Sequence, residues 1–234
     1  LAKTVERGKV RFTLTKSGVQ SKASEREYTF DEISFADVTV RYSDRDVKTT
    51  FKKLPAKFSL VFEEDENGNE VDYRTSKCVC DTVLTMLSGE YVIDSYSLYD
   101  SSSKLLEYNA KPETSSFKLV DNGITEAEVT VTLRLTDEYI EDYMALKEIW
   151  EALGGKDWYY SGEDFQKGVN WDFNKDIDLW GDQPGVELHS NGRVASLNLS
   201  DFGFYGDMPA AIGQLTELAV LYLGTHNDTN LLDY

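Results

Sequence analysis

The feature that most constrains this 234-residue chain is a block of apolar residues that recurs after 24 positions near the C-terminus. The recurring positions form two L-x-x-L-x-L blocks, Val194, Leu197 and Leu199 followed by Leu218, Leu221 and Leu223. A fixed interval shared by three positions is typical of stacked repeats, in which each unit buries its apolar face only against its neighbours. Each block therefore predicts a short strand whose leucines point inward, and the pair predicts the start of a solenoid.

The segment between the two blocks carries a second motif, G-x-M-P-x-x-I-G-x-L, at residues 206–215. This segment resembles the remainder of a plant-type leucine-rich repeat, and the positions that carry the resemblance are Gly206, Pro209, Ile212, Gly213 and Leu215. The resemblance implies a binding scaffold and not a catalyst. Two positions depart from the family pattern: Phe202 stands where the family usually has Asn, and Asn227 comes one residue late in the second block. The late Asn predicts an insertion or an irregular turn.

A helix is predicted to begin after Thr136, an N-cap residue followed by two acids, because the helix dipole favours negative charge there. The apolar stripe of this helix comprises Ile140, Tyr143, Met144, Leu146, Ile149, Trp150 and Leu153. The pair Gly154-Gly155 then ends the helix. Because the first strand of a solenoid has no preceding repeat to cover it, we expect the stripe to bury Ile149 and Trp150 against the first repeat.

The tryptophans are concentrated within this helix or between it and the first repeat, at Trp150, Trp158, Trp171 and Trp180. Large aromatic side chains can fill an irregular cap, and an aromatic cage for a ligand is the alternative. Residues 140–224 together resemble the N-terminal cap and first repeat of bacterial leucine-rich-repeat surface proteins. The whole chain is similar in style to Bacteroides-type surface lipoproteins in which a β-sandwich module precedes the repeats. This resemblance implies an extracellular or outer-membrane location, a removed signal peptide, and a lipid anchor on a segment outside this chain.

Residues 9–135 show a β pattern throughout, with short alternating runs such as Val10, Phe12 and Leu14 bounded by turn residues. The pair Asn67-Gly68 is a strong hairpin signal. About seven or eight strands at this spacing predict an antiparallel β-sandwich of immunoglobulin-like or transthyretin-like type, with the strand order left open.

The predicted fold class is therefore mostly β with minor α. The predicted organisation is a β-sandwich domain at residues 1–135, a helical repeat cap at 136–192, and one full and one partial repeat at 193–234.

Two groups of residues in the β region have both a structural and a functional interpretation. The aromatic series Tyr91, Tyr96, Tyr99 and Tyr108 is a candidate sugar-stacking platform, although aromatic residues are simply favoured in half-buried strands. The only two cysteines, Cys78 and Cys80, would share one strand face. A bridge between them would be strained, and Cys-x-Cys alone is a weak metal signal. We expect two small, half-buried strand residues.

The charge distribution limits the classes of partner. The net charge of −18 argues against nucleic acid, which is bound by clustered Lys and Arg, and against anionic membrane surfaces. Residues 137–234 carry 19 acidic and 5 basic side chains, so the C-terminal part is the acidic one. No apolar run approaches the length of about 20 residues that a membrane span needs, so a membrane-spanning chain is not expected.

Catalytic and metal-binding signals are weak. The residues Asp172, Asn174, Asp176 and Asp178 place oxygen atoms at alternate positions, but the loop lacks the glycine and the glutamate of an EF-hand. His189 and His226 belong to no recognisable triad spacing, and a hydrolase site between the domains is a remote alternative. We expect no enzyme activity, no cofactor and at most a weak cation site.

The leading functional hypothesis is a non-catalytic cell-surface interaction module that binds protein or glycan through the concave face of the repeats. The residues between the leucines of each strand face outward, which gives Ser196, Asn198, Ser200, Val220 and Tyr222 as candidate ligand-binding residues. The alternative makes the β-sandwich the carbohydrate- or subunit-binding module and the repeat a rigid arm. An uncapped last strand also predicts self-association through residues 218–234, with further repeats expected downstream.

Overall fold

The contacts between residues divide the chain into two compact units. A computed structural model describes residues 5–17, 21–23, 28–113, 116–224 and 230–232. The first compact unit comprises Leu1–Ser21 and Glu27–Arg134, and the second comprises Lys22–Arg26 and Leu135–Tyr234. Secondary structure in the described residues is mostly β with minor α.

In chain order the strands are β1 (Arg7–Lys16), β2 (Ser21–Ala23), β3 (Phe35–Tyr42), β4 (Lys48–Glu64), β5 (Glu70–Cys80), β6 (Leu84–Leu87), β7 (Gly89–Tyr99), β8 (Leu105–Ala110), β9 (Ser116–Leu119), β10 (Ile124–Val131), β11 (Arg134–Thr136), β12 (Val186–Leu188), β13 (Val194–Asn198), β14 (Tyr205–Gly206), β15 (Val220–Tyr222) and β16 (Leu231–Leu232). The helix α1 (Asp137–Ala152) follows β11. Short 3₁₀ helices occupy Phe30–Glu32, Gly155–Asp157, Ile177–Asp182 and Ala210–Gln214.

The first unit contains a nine-stranded sheet in the order β10-β1-β5-β4-β3-β7-β8, with β6 on β1 and β9 on β7. The sequence indicated seven or eight strands, and the two short strands β6 and β9 exceed that expectation. The predicted antiparallel arrangement holds for the other described pairs of this sheet but not for β1 and β10, which run parallel from Lys9↔Ile124 to Lys16↔Val131. A parallel pair needs a long crossover connection, and the strands that lie between β1 and β10 in sequence supply it.

The long strand β4 links the two halves of this sheet. Its residues 48–55 pair with β3, and its residues 56–64 pair with β5. Lys53 lies at a β-bulge within the half that pairs with β3, has a φ of 50°, and donates its backbone N–H to Asp37 Oδ1 at 2.8 Å. The hairpin predicted at Asn67-Gly68 is confirmed, since β4 and β5 pair antiparallel up to Glu64↔Glu70.

Alternate residues of the strands form one apolar core in the first unit. Val10, Phe12 and Leu14 from β1 lie in the same buried cluster as Val38 from β3. The Phe12 ring packs edge-on against Phe117 with centroids 6.0 Å apart. This period of two explains why the strand pattern was readable from the sequence.

The two cysteines also face this core. Both are free thiols and are fully buried rather than half-buried, because β5 places every second residue from Ser76 to Cys80 on its inner face. Cys78 Sγ contacts the carbonyl oxygen of Phe30 at 3.3 Å.

In the second unit, α1 begins as the sequence predicts. The backbone N–H of Tyr139 donates to Thr136 Oγ1 at 3.1 Å, and Gly154 is left-handed with a φ of 69° just after the helix. Two members of the predicted stripe do not fit. Met144 is 53% exposed, because the inward face runs through Tyr139, Leu146 and Ile149 instead.

The burial of Trp150 also differs from the prediction. Ile149 is fully buried in the core that contains Leu197, whereas Trp150 is only half-buried. The Trp150 ring packs against Phe173 at 5.4 Å, and its indole N–H donates to Asn170 Oδ1 at 3.0 Å. Trp150 is therefore not buried as predicted: it lies at the margin of this core and contacts the cap loop.

The 24-residue interval is visible in the backbone pairing. β13 and β15 run parallel with Ser196↔Val220, Leu197↔Leu221 and Asn198↔Tyr222. The leucines of the first block are fully buried, but Leu221 in the second block is 39% exposed. The next pairing, Tyr205↔Leu231, has an interval of 26, so two residues are inserted after β15.

The insertion was predicted from the sequence, although Asn227 itself and His226 lie outside the described residues.

Candidate ligand groove

Four of the five predicted ligand-binding residues, all except Ser200, lie on a three-stranded sheet of the second unit. β12 runs antiparallel to β13, which runs parallel to β15. Glu187, Ser196 and Val220 stand opposite one another across the three strands, and the pair Asn198↔Tyr222 follows one step along. The residues between them, such as Leu197, face the core, so one face of the sheet is available to solvent.

A groove of about 710 Å³ opens over this face. Four of the five predicted residues line it, namely Ser196, Asn198, Val220 and Tyr222. Ser200 does not. The other walls come from the cap, from Phe165, Gln166 and Val169 and from residues 182–187. We call this site the cap groove. The cap residues that complete it were not identified as ligand-binding by the sequence pattern, because their spacing follows no repeat.

The wall formed by residues 182–187 is held rigidly from behind. The side chain of Gln183 is buried, donates to the carbonyl oxygen of Asp172 at 2.6 Å and accepts from its backbone N–H at 2.9 Å. The indole N–H of buried Trp171 donates to the carbonyl oxygen of Pro184 at 2.7 Å. Fixed polar partners on both sides of this turn preorganise the groove wall.

Gly185 is required at the floor of the groove. Its φ of 80° is left-handed, and a Cβ on this residue would lie 2.1 Å from the carbonyl oxygen of Asn198. The close approach allows the Asn198 N–H to donate to the Gly185 carbonyl oxygen at 2.8 Å. Only glycine satisfies both conditions without strain.

Asn198 has a structural contact as well as a place in the groove. Its Oδ1 accepts the backbone N–H of Ser200 at 3.0 Å, so the side chain closes the turn after β13. Tyr222 is 60% exposed and Val220 is 43% exposed. Tyr222 is therefore the candidate whose ring is most available to a ligand.

A buried ion pair fixes the start of β13 relative to α1. Arg193 donates from Nε to Asp142 Oδ2 and from Nη2 to Asp142 Oδ1, both at 2.9 Å, and the Val194 N–H donates to Asp142 Oδ2 at 2.9 Å. Arg193 Nη2 also donates to Thr216 Oγ1 at 3.1 Å. Hydrogen bonding to Asp142 raises the pKa of Arg193. The sequence pattern missed Asp142, because a carboxylate on the buried face of a helix breaks the apolar stripe.

Asn230 holds the turns of the two repeats together. Its Nδ2 donates to the carbonyl oxygens of Leu199 and Leu223 at 2.8 and 3.1 Å, and its Oδ1 accepts the Phe204 N–H at 2.9 Å. By the β14–β16 register, Asn230 stands at the position that buried Phe204 occupies in the first repeat. A buried aromatic therefore replaces a backbone-binding amide in the first turn.

The geometry gives less support to metal binding and to catalysis than to ligand binding in the cap groove. Among the residues described, no group of three or more His, Cys, Asp or Glu side chains is arranged to hold a metal ion. The Asp172 Oδ1 accepts the Asn174 N–H at 2.9 Å in a local turn. The His189 Nε2 lies 3.0 Å from the carbonyl oxygen of Glu217, which is not a catalytic partner.

The aromatic alternatives are wrong. Trp158, Trp171 and Trp180 are buried, so they fill the cap and form no open cage. Tyr91 and Tyr96 are each only 3% exposed, whereas Tyr108 is 73% exposed, so the tyrosine series forms no continuous platform. Tyr91 and Tyr96 face the same core, because the pairing of β7 with β3 shifts register between Ile93 and Ser95, whereas Tyr108 on β8 faces solvent.

The family comparisons agree with both parts of the chain. Residues 8–124 match the family described as "Domain of unknown function (DUF4458)", and residues 133–199 match the leucine-rich repeat family. Because the first match covers half of the chain, the chain belongs to the DUF4458 family. Its similarity to leucine-rich repeat proteins lies in the second part of the chain. No curated protein matches the chain.

Two solved structures are similar in sequence. A leucine-rich repeat protein from Bacteroides thetaiotaomicron VPI-5482 is 40% identical over 97% of this chain, with a TM-score of 0.41. A leucine-rich repeat protein from Bacteroides eggerthii DSM 20697 is 63% identical over 39% of this chain, with a TM-score of 0.38. This chain spans 26% and 15% of the length of those proteins.

None of the helices in the described ranges is long and apolar enough to cross a bilayer.

Proposed function

We propose that the second unit is a non-catalytic interaction module whose cap groove binds a protein or glycan ligand. The observation that carries this proposal is the convergence of four predicted ligand-binding residues with the cap loops in one groove of about 710 Å³. Pockets of roughly 300–1,000 Å³ that combine apolar walls with a few polar groups are typical of binding sites. The leucine-rich repeat match supports a repeat-based interaction surface.

The test begins with a screen of the full chain against a glycan array and a phage-displayed peptide library. Binding of a retained probe should fall when Tyr222 is changed to Ala, because Tyr222 is the most exposed aromatic of the groove. Tyr159→Ala is the matched control, since Tyr159 is 64% exposed and does not line the groove. Equal binding by Tyr222→Ala and the parent chain would reject the groove as the site.

Asn198 needs a different pair of substitutions. Asn198→Ala also removes the bond to the Ser200 N–H and is expected to lower the melting temperature, whereas Asn198→Asp keeps an acceptor oxygen at that place. A loss of probe binding in Asn198→Asp without a change in melting temperature therefore reports on the ligand alone.

The architecture around the groove completes the proposal. We infer that the first unit, at about residues 1–135, is a β-sandwich, supported by the shared core of β1 and β3. We infer that the second unit, at 136–234, is a repeat cap followed by the start of a solenoid, supported by the parallel β13–β15 pairing. Each assignment predicts that proteolysis yields a protected fragment for each unit.

The location of the module is a further part of the proposal. We infer an extracellular or outer-membrane surface position with a lipid anchor on a segment outside this chain. The support is the resemblance of the Trp-rich cap to bacterial leucine-rich-repeat surface proteins. Cleavage of the protein by protease added to intact cells of its source is the expected result. Full protection until the cells are lysed would contradict it.

A second candidate function places ligand binding in the first unit. The outer face of β1, β5 and β10 carries a shallow depression of about 760 Å³ lined by Thr13, Thr15, Lys77 and Glu128, among others. A carbohydrate or a neighbouring subunit is the expected occupant, and the repeat then acts as a rigid arm. A Thr15→Trp change that abolishes probe binding while Tyr222→Ala leaves it intact would establish this alternative.

Self-association through β15 is the remaining proposal on partners. In the described sheet β15 is an edge strand, and its residues Val220, Leu221 and Tyr222 are 39–60% exposed. Exposed apolar edge strands pair readily with other chains. Light scattering should show mass increasing with concentration, and Leu221→Lys should reduce it. A strictly monomeric chain would refute the proposal.

A further inference from the structure

The charged side chains that line the cap groove are all acidic. Asp182 and Glu187 are exposed on its walls, and none of the lining residues is Lys or Arg. The surrounding region has the same sign, since residues 137–234 carry 19 acidic and 5 basic side chains. Arg193, one of these five, is already paired with Asp142. A cleft lined by charges of one sign concentrates ligands of the opposite sign, so this groove favours cations.

Apolar side chains line the groove together with these carboxylates. Phe165 and Val169 are half-buried walls of the groove, and the Tyr222 ring is 60% exposed. A Lys or Arg side chain combines an aliphatic stem that packs on apolar surface with a charged head that remains near water or a carboxylate. An exposed aromatic ring adds a cation–π contact. The two kinds of groove wall therefore match the two parts of one long basic side chain.

The groove also offers hydrogen-bonding groups that suit a peptide backbone. The Ser196 hydroxyl, the Gln166 amide and the Asn198 Nδ2 line it and have no side-chain hydrogen bond to the rest of the described chain. Hydroxyl and amide groups both donate and accept, as the N–H and C=O groups of an extended peptide require.

We propose that the ligand of the cap groove is a polypeptide segment that presents Lys or Arg. This inference rests on the proposed function of the groove and names the chemistry of its partner. A neutral glycan needs a stacking ring and hydrogen bonds but derives no attraction from the acidic walls. The charge of the groove is the feature that separates the two ligand classes.

The experiment uses the full chain and a phage-displayed library of random dodecapeptides as the probe. Peptides retained at low salt should be enriched in Lys and Arg relative to the unselected library, and their binding should weaken with added salt. Glu187→Lys should weaken binding of the enriched peptides by about tenfold, because it replaces an attractive charge with a repulsive one. Glu148→Lys is the matched control, since Glu148 is an exposed acid outside the groove.

The outcomes separate this inference from the proposed function. Enriched basic peptides that lose binding in both Glu187→Lys and Tyr222→Ala support the inference. Peptides that depend on Tyr222 but show no enrichment in Lys or Arg overturn it and leave the groove as a binding site. A retained glycan that depends on Tyr222, with no retained peptide, overturns it in the same way. Failure of both peptides and glycans to depend on Tyr222 overturns the inference and the proposed function together.

Discussion

Replacing Asp142 with Asn should destabilise the second unit strongly, although the two side chains have nearly the same shape. Asp142 is 1% exposed and accepts three hydrogen bonds at 2.9 Å, two from the Arg193 guanidinium and one from the Val194 N–H. The amide of Asn offers one acceptor atom and directs N–H donors at a cation that also donates. The substitution therefore leaves a nearly buried guanidinium without its countercharge.

The expected cost follows from these contacts. Removing one partner of a buried ion pair typically costs about 3–5 kcal/mol. Arg193 keeps a bond to Thr216 Oγ1 and a contact with Glu217 Oε1 at 3.6 Å, which place the expected loss near the lower end, at about 3 kcal/mol. Replacing both partners, as Asp142→Leu with Arg193→Met, removes the unpaired charge and should cost only about 1–2 kcal/mol.

Tryptophan fluorescence in a urea titration is a suitable assay, because all four tryptophans lie between residues 150 and 180 and report on the second unit alone. Glu217→Gln is the control, since Glu217 is 40% exposed and its contact with Arg193 should contribute less than about 1 kcal/mol. A loss below about 0.5 kcal/mol in Asp142→Asn, the level of an ordinary surface substitution, would refute the reasoning.

Three further predictions concern the groove, the core and the thiols. Gly185→Ala should lower both stability and probe binding, because a Cβ would meet a backbone carbonyl at 2.1 Å; an unchanged melting temperature would contradict it. Leu197→Ala truncates a core side chain and should lower the free energy of unfolding in urea by about 2–5 kcal/mol. Trp150→Phe removes one indole hydrogen bond and should lower it by about 1 kcal/mol. Equal losses for the two variants would be inconsistent with the packing. Burial raises the pKa of Cys80 to about 12, so iodoacetamide at pH 8 should label this thiol only after unfolding, and rapid labelling of the folded chain would show that it is accessible.

The parts of this structure that follow a period were predictable from the sequence. Alternating residues predicted the strands of the first unit, and the 24-residue interval predicted the β13–β15 register. The N-cap at Thr136 followed from local chemistry alone. Each of these features depends on neighbouring positions in the chain, or on an interval that the chain itself repeats.

The parts that depend on distant partners were not predictable. Asp142 pairs with Arg193 across 51 positions, and no spacing rule connects the two residues. The cap walls of the groove are held by Gln183 and Trp171, whose contacts follow no spacing rule. The contact of half-buried Trp150 with Asn170 was not predictable either, because an apolar stripe shows which residues prefer burial and does not identify what covers them.

The parallel pairing of β1 with β10 has a consequence for the synthesis of the protein. Each residue pair between β1 and β10, from Lys9↔Ile124 onward, is separated by 115 positions. The conformational entropy of closing so long a loop is lost before the contact stabilises the chain. High contact order of this kind slows folding. Since a ribosome adds about 5–20 residues per second, β5 and β6 can pair with β1 several seconds before β10 exists, and over that interval the other edge of β1 has no strand beside it. A nascent chain halted before residue 124 therefore presents one unpaired edge of β1, and such an edge is a template for pairing with other chains.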